Sequence, residues 1–315
     1  MKKLYIVIPC YNEELVLYET TRLLEEKIKH LVKEKMISPD SQIVFVNDGS
    51  KDQTWEIIQK LHKEHSFVSG INLSRNRGHQ NALLAGLLTV KDNADIVISM
   101  DADLQDDINA IDEMIKENEK GIDVVYGVRS SRKKDSFFKK HTAQLFYKLM
   151  KWFGVDIIYN HADFRLMNQK ALNALEGFSE VNLFLRGIIP LIGFKSSIVY
   201  YERGERFAGE SKYPLSKMLS FAIDGITSFS VRPLRLIFTL GLIILIISIV
   251  IMFYSLIVKL LGKTVDGWTF LSISIWFIGG LQMLSIGIIG EYIGKIYHET
   301  KRRPRFIIDE KLMHE

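Results

Sequence analysis

The sequence predicts an α/β fold, with a mostly parallel sheet flanked by helices, followed by a two-helix transmembrane hairpin. Three observations carry that expectation. Up to about residue 130, short β-branched runs alternate with helical patterns. Polar clusters follow the ends of those runs. Near the C-terminus, two segments lack any charge, although 25% of the 315 residues are charged.

The strands come first. "LYIVIP" (4–9), "IVFVND" (43–48), "VSGINL" (68–73), "DIVISM" (95–100) and "DVVYG" (123–127) read as buried strands. Helical patterns lie between them at roughly 13–36, 52–65, 78–91 and 107–119, with Asp52 as a plausible N-cap. Strand–helix–strand alternation implies right-handed crossovers in an open sheet. Ligands bind such sheets outside the carboxyl ends of the strands. There stand "CYNEE" (10–14), "NDGS" (47–50), "LSRNRG" (73–78) and "DADLQDD" (101–107), which are expected to face one crevice.

The segment 129–140, "RSSRKKDSFFKK", holds six basic residues and one acid. A basic, aromatic amphipathic pattern follows at 142–154, and another at about 216–232; such helices lie on membrane surfaces. Residues 236–258 and 268–290 carry no charge. Each is about 34 Å long as a helix, enough to cross a bilayer core of about 30 Å. Arg232 and Arg235 flank one end, and Lys295, Lys301, Arg302, Arg303 and Arg305 the other. The positive-inside rule therefore expects the large domain and both termini in the cytoplasm, with the protein multi-pass in the plasma membrane. The expected division is a cytoplasmic α/β domain over 1–215, an interface helix over 216–232, the hairpin over 233–294 and a basic tail over 295–315. The tail 306–315 shows no pattern of its own.

Bulk properties exclude some classes. The net charge of +4 does not point to nucleic acid. The single cysteine, Cys10, allows no internal disulfide. The N-terminal apolar run is too short for a signal-peptide core.

The acids of "MDADLQDD" are the main chemical signal. Two carboxylates about 4 Å apart repel by roughly 4 kcal/mol at an effective dielectric near 20. A divalent cation would offset that, because Mg²⁺ is commonly held by one or two carboxylates together with substrate phosphates. Asp101 and Asp103, directly after a buried strand, are read as such a site. Asp106 and Asp107 are read as caps of the following helix. Asp48 suits either a turn with Gly49 or a nucleotide contact, and Pro9 and Tyr11 could wrap the same base.

"IPCYNEE", "NDGSKDQT", "LSRNRGHQNALLAGL", "MDADLQDD", "HADFRLM" and "RGERFAGESKY", followed by paired apolar segments, resemble the family-2 glycosyltransferases of GT-A fold. The nearest subgroup is the polyprenyl-phosphate glycosyltransferases, which includes bactoprenol glucosyltransferases and dolichyl-phosphate mannose synthases. The resemblance implies a Rossmann-like GT-A domain and a nucleotide-sugar site at Pro9, Tyr11, Glu13, Asp48, Asp101, Asp103, Ser211 and Lys212. It implies Mg²⁺ or Mn²⁺ held by Asp103 with Asp101 and Gln105, and an acceptor phosphate on Arg129, Arg132 and Arg165. Asp163, Asp103, Arg129 and Arg206 are the implied catalytic group, with Asp163 either a base or a residue that orients sugar and arginines. His79 is given no role.

The implied reaction is inverting transfer of a hexose from a UDP-sugar to undecaprenyl or another polyprenyl phosphate at the cytoplasmic face. Glucose and N-acetylglucosamine suit the subgroup better than mannose from GDP-mannose. A processive polysaccharide synthase is disfavoured, since "NLFLRGIIPLIG" stands where a Gln-x-x-Arg-Trp segment would be. A membrane-anchored nucleotide-binding regulator is the alternative from another class. Gly279, Gly280, Gly287 and Gly290 would allow close helix packing and a homotetramer.

Overall fold

A computed structural model describes residues 1–130, 152–153, 161–181, 183–202, 204, 225–228, 230–261 and 267–314. The first crossovers follow the expected order: β1 (Leu4–Cys10), α1 (Leu17–Lys33), β2 (Gln42–Asn47), α2 (Thr54–Glu64), β3 (Val68–Leu73), α3 (His79–Val90), β4 (Ile96–Ser99), α4 (Ala110–Glu119) and β5 (Val124–Arg129). Then come β6 (His161–Asn168), α5 (Gln169–Glu176), α6 (Leu185–Leu191) and β7 (Ser196–Tyr201). Two long helices, α7 (Arg232–Leu260) and α8 (Trp268–Thr300), precede a last strand, β8 (Ile308–Leu312).

The eight strands form one sheet in the order β7-β5-β6-β4-β1-β2-β3-β8. β1, β2, β3 and β4 pair in parallel, as do β5 and β7. β6 runs antiparallel to both β4 and β5, and β8 antiparallel to β3. The sheet is therefore mixed. Both reversed strands come from segments not anticipated as strands, one of them in the tail that had shown no pattern.

Alternation along β1 divides the core. Leu4, Ile6, Ile8 and Cys10 face one side, packed with α1, α2 and α4. Tyr5 and Val7 face the other, with α3, α5 and α6. Helix α3 is nearly all apolar because its face is pressed against β1 and β2. A Cβ on its Gly86 would lie 2.4 Å from Val7 Cγ1, so only glycine permits that approach.

Helices α1 and α4 start later than the patterns suggested, because the residues before them form loops at the sheet's carboxyl edge. Helix α2 starts at Thr54, whose N–H donates to Asp52 Oδ1 (3.1 Å).

α7 and α8, of 29 and 33 residues, are both long and apolar enough to cross a membrane. α8 extends ten residues beyond the uncharged stretch, and the chain then returns to the sheet. Glu299 accepts the Val181 N–H (2.9 Å), Arg305 donates to the Phe178 carbonyl (2.8 Å), and His314 stacks on His62 at 4.0 Å. Because β8 pairs with β3, the tail lies on the same side of any membrane as the sheet. Most of the expected amphipathic segments 142–154 and 216–232 lies outside the described residues.

Candidate active site

The strand order reverses between β1 and β4, since β2 and β3 continue to one side and β6 and β5 lie on the other. Such a switch point opens a crevice at the carboxyl ends of the strands. The four polar clusters meet there.

The loop after β1 is laced to the loop after β2. Asn12 N–H donates to Ser50 Oγ (3.0 Å), Glu13 N–H to Thr54 Oγ1 (2.9 Å), and Lys51 N–H to Asn12 Oδ1 (2.9 Å). Tyr11 is exposed beside this lacing, whereas Pro9 is buried inside β1, paired with Val46. Asp48 is buried, and each of its oxygens takes a backbone hydrogen bond, from Arg77 N–H (2.7 Å) and Gly78 N–H (2.9 Å). Burial raises its pKa, and these two donors oppose the rise. In this conformation Asp48 holds the loop that leads into α3. Gly49, at φ +61°, lies under the same loop, and a Cβ there would be 2.5 Å from Asn76 N.

The β4–β6 register explains the next group. Ser99 pairs with Arg165, so continuing the antiparallel register by two residues sets Asp163 against Asp101. Ser99 Oγ also donates to the Asp163 carbonyl (2.5 Å). Asp163 is buried and accepts a hydrogen bond from Arg165 Nη2 and another from Arg186 Nη2 (3.0 Å). His79 Nε2, at the first turn of α3, lies 3.4 Å from Asp163 Oδ2 and 3.6 Å from Asp101 Oδ1. Burial pushes the Asp163 pKa up, but Arg186, His79 and Arg165 outweigh it and hold the carboxyl well below the usual range. Burial also raises the Asp101 pKa, helped by Asp163 and Asp103 and opposed by His79. For His79, burial disfavours the charged form, and Asp163 and Asp101 outweigh that to raise its pKa.

Asp103 and Gln105 are half-buried on the turn after β4, where Asp103 Oδ1 accepts the Gln105 N–H (3.2 Å). Leu104 between them has φ +56°, a left-handed conformation costing an L-residue about 1–2 kcal/mol. That strain turns the chain sharply and keeps Asp101 and Asp103 at the crevice. Among the described residues no three His, Cys, Asp or Glu side chains group as metal ligands. Asp101 and Asp103 instead match the donor set of a hard divalent cation that takes its remaining ligands from a diphosphate and water.

Asp106 does not cap α4. Tyr201 Oη donates to its Oδ1 (2.5 Å), Arg129 Nη2 lies 3.8 Å away, and burial pushes its pKa up to about 6. Asp107 does not cap α4 either: its Oδ1 accepts the N–H of Asn109 (2.9 Å), which is itself the N-cap and has no side-chain cap bond. Arg129, at the end of β5, also donates from Nε to Tyr201 Oη (3.3 Å).

The structure thus gathers Asp101, Asp163, Arg165, His79 and Arg186 in one group, and Arg129 with Asp106 and Tyr201 in a second. Arg132, Arg206, Ser211 and Lys212 lie outside the described residues. Arg165 has no exposed surface, so in this conformation it supports Asp163 and has no direct access to a ligand. Sequence reasoning missed His79, Arg186 and Tyr201. The signal for Arg186 was available: it is the only charge in "LFLRGIIPLI".

The profile of glycosyl transferase family 2 matches residues 5–176, and that of the GtrB C-terminal hairpin matches residues 232–296. The chain belongs to glycosyl transferase family 2, and its two long apolar helices fall almost entirely in the match to the GtrB C-terminal hairpin. It is 55% identical over 312 residues to the glycosyltransferase YkoT of Bacillus subtilis (strain 168), covering 99% of this chain and 93% of the relative. It is 40% identical to the prophage bactoprenol glucosyl transferase homolog of Escherichia coli (strain K12), covering 97% and 98%. To the bactoprenol glucosyl transferase of Shigella phage SfX it is 39% identical, covering 98% and 99%.

Proposed function

We propose that this chain transfers glucose from UDP-glucose to undecaprenyl or a related polyprenyl phosphate at the cytoplasmic face of the plasma membrane. The observation that carries this reading is near-complete alignment with bactoprenol glucosyl transferases, through the hairpin as well as the sheet domain. The hairpin fits an acceptor whose tail stays in the bilayer. The basic flanks and the return of β8 to the sheet support a cytoplasmic site with both termini on that side.

In the reaction an ionised oxygen of the acceptor phosphate attacks the anomeric carbon, the bond from that carbon to the diphosphate breaks, and UDP leaves. A single displacement inverts configuration, so an α-linked donor gives a β-linked lipid-phosphate sugar. The acceptor oxygen needs little deprotonation at pH 7, and Asp163 is held ionised by two arginines. It therefore orients the site and is not required as a base. Asp101 and Asp103 would hold Mg²⁺ or Mn²⁺, which when bound stabilises the diphosphate as a leaving group. Arg129 lies at the same crevice, where its fork suits phosphate.

The test mixes the full-length protein in membranes with undecaprenyl phosphate, Mg²⁺ or Mn²⁺ and a panel of radiolabelled UDP-glucose, UDP-N-acetylglucosamine and GDP-mannose. Label from UDP-glucose should enter the lipid fraction with release of UDP, and chelation should stop it. Lipid labelling from another donor alone would overturn the sugar, and labelling unaffected by chelation together with a fully active Asp103→Asn would overturn the metal role. No labelling from any donor would overturn the enzyme reading.

A further inference from the structure

Two arginines converge on Asp163, and they differ in one respect. Arg165 is sealed in the sheet, with a side chain 0% exposed, whereas the Arg186 side chain is 29% exposed. Arg186 grips the carboxylate with a fork: Nη2 donates to Oδ2 (3.0 Å) and Nε to Oδ1 (3.4 Å). A guanidinium gripped along that edge has its plane fixed and its opposite edge turned away from the carboxylate.

The rest of α6 holds the side chain in place. Leu185, Gly187, Ile188 and Ile189 are buried, and three of them join the core, so the helix that carries Arg186 is anchored. The Leu185 N–H donates to Gln80 Oε1 (2.7 Å), tying the start of α6 to the start of α3 beside His79. Arg186 also lies in the field of Asp101, the residue at the end of β4. It is thus a rigidly held, partly exposed guanidinium at the crevice where the substrate phosphates must meet.

We propose that Arg186 is a phosphate-binding residue of the transfer site, with Asp163 as its positioning partner. Asp163 aims the guanidinium, Arg165 keeps Asp163 ionised from behind, and Arg186 meets the anion. The inference rests on the glycosyl-transfer reading for the identity of the anion, which is either the donor diphosphate or the acceptor phosphate.

The experiment measures equilibrium binding to full-length protein in detergent, with Mg²⁺ present, for two pairs of probes: UDP against uridine, and farnesyl phosphate against farnesol. Losing one charge-assisted pair weakens binding about 10- to 100-fold. Arg186→Ala should weaken UDP or farnesyl phosphate by that factor and change uridine and farnesol less than twofold. Loss confined to UDP assigns the donor diphosphate, and loss confined to farnesyl phosphate assigns the acceptor. Guanidinium ion added to Arg186→Ala should restore much of the lost affinity, which a purely structural role would not allow. If the alanine variant does not fold, Arg186→Gln, which keeps a polar hydrogen-bond donor but no charge, is used in the same arms. A folded Arg186→Ala or Arg186→Gln protein that binds both phosphates within twofold of wild type would overturn the proposal. Glucose transfer by the wild-type preparation is scored separately, so its failure would refute the reaction while the binding result still decides Arg186.

Discussion

Asp163→Asn separates an anchor from a base. The substitution keeps shape and removes the charge that faces Arg165, Arg186 and His79. Arg165 is fully buried, and among the described residues its Nε and Nη1 have no hydrogen-bond partner, so Asp163 is the carboxylate that balances it. Removing one partner of a buried ion pair costs about 3–5 kcal/mol, because the other charge remains in low dielectric. For a domain of this size each kcal/mol shifts Tm by about 2–4 °C, so the variant should melt about 6–20 °C below wild type. Near-UV circular dichroism during heating in detergent follows the loss of fixed aromatic packing. Transfer should fall as well, because Arg186 loses its aim. A variant that melts within about 2 °C of wild type yet has lost transfer would refute the reasoning and restore Asp163 as a base.

Gly49→Ala should destabilise by about 2–5 kcal/mol, combining left-handed strain with a clash against backbone at 2.5 Å. It should also weaken UDP binding, since the displaced loop carries the donors to Asp48; unchanged melting and affinity would contradict this. Asp123 accepts from Asn168 Nδ2 (2.9 Å) and Lys195 N–H (3.3 Å) and lies 3.5 Å from Lys170 Nζ. Burial raises its pKa, but these partners outweigh burial and lower it, so its contribution is present above the unfolded value of about 3.9 and lost as pH falls through the folded one. Asp123→Ala should therefore cost about 1–3 kcal/mol at pH 7, and the gap from wild type in denaturant midpoint should close below about pH 4. Deleting residues 306–315 should cost about 2–4 kcal/mol through lost packing of Phe306, Ile308 and Met313 and should promote aggregation through the bared β3 edge. A truncated protein that melts and stays dispersed like wild type would rule that out.

The first five strands and four helices were legible because each buried strand is an apolar β-branched run and each crossover has helical periodicity. The crevice was legible for the same reason, since polar clusters at strand ends have one place to go. β6 was not, because its core positions include Asp163 and Arg165, which mask a strand when read as sequence and neutralise one another when folded. β8, "IDEKL", hid for the opposite reason: an edge strand exposed to water is charged and carries no apolar signal. Asp106 was misread because its partner Tyr201 is 95 positions away, and no local pattern encodes that contact. Arg186 entered the site the same way, reaching Asp163 across 23 positions from a helix that otherwise serves the core.

The return of the tail to β3 also sets an order of events during synthesis. Asn72 in β3 and Asp309 beside it in β8 are 237 positions apart. At about 5–20 residues per second, a ribosome needs about 10–50 s to supply the second after the first. Throughout that interval the β3 edge is open, and both apolar helices emerge before it can be covered. The sheet is therefore sealed only by a nascent chain that has already delivered its hairpin. A molecule interrupted anywhere before the last strand keeps a raw edge that marks it as unfinished.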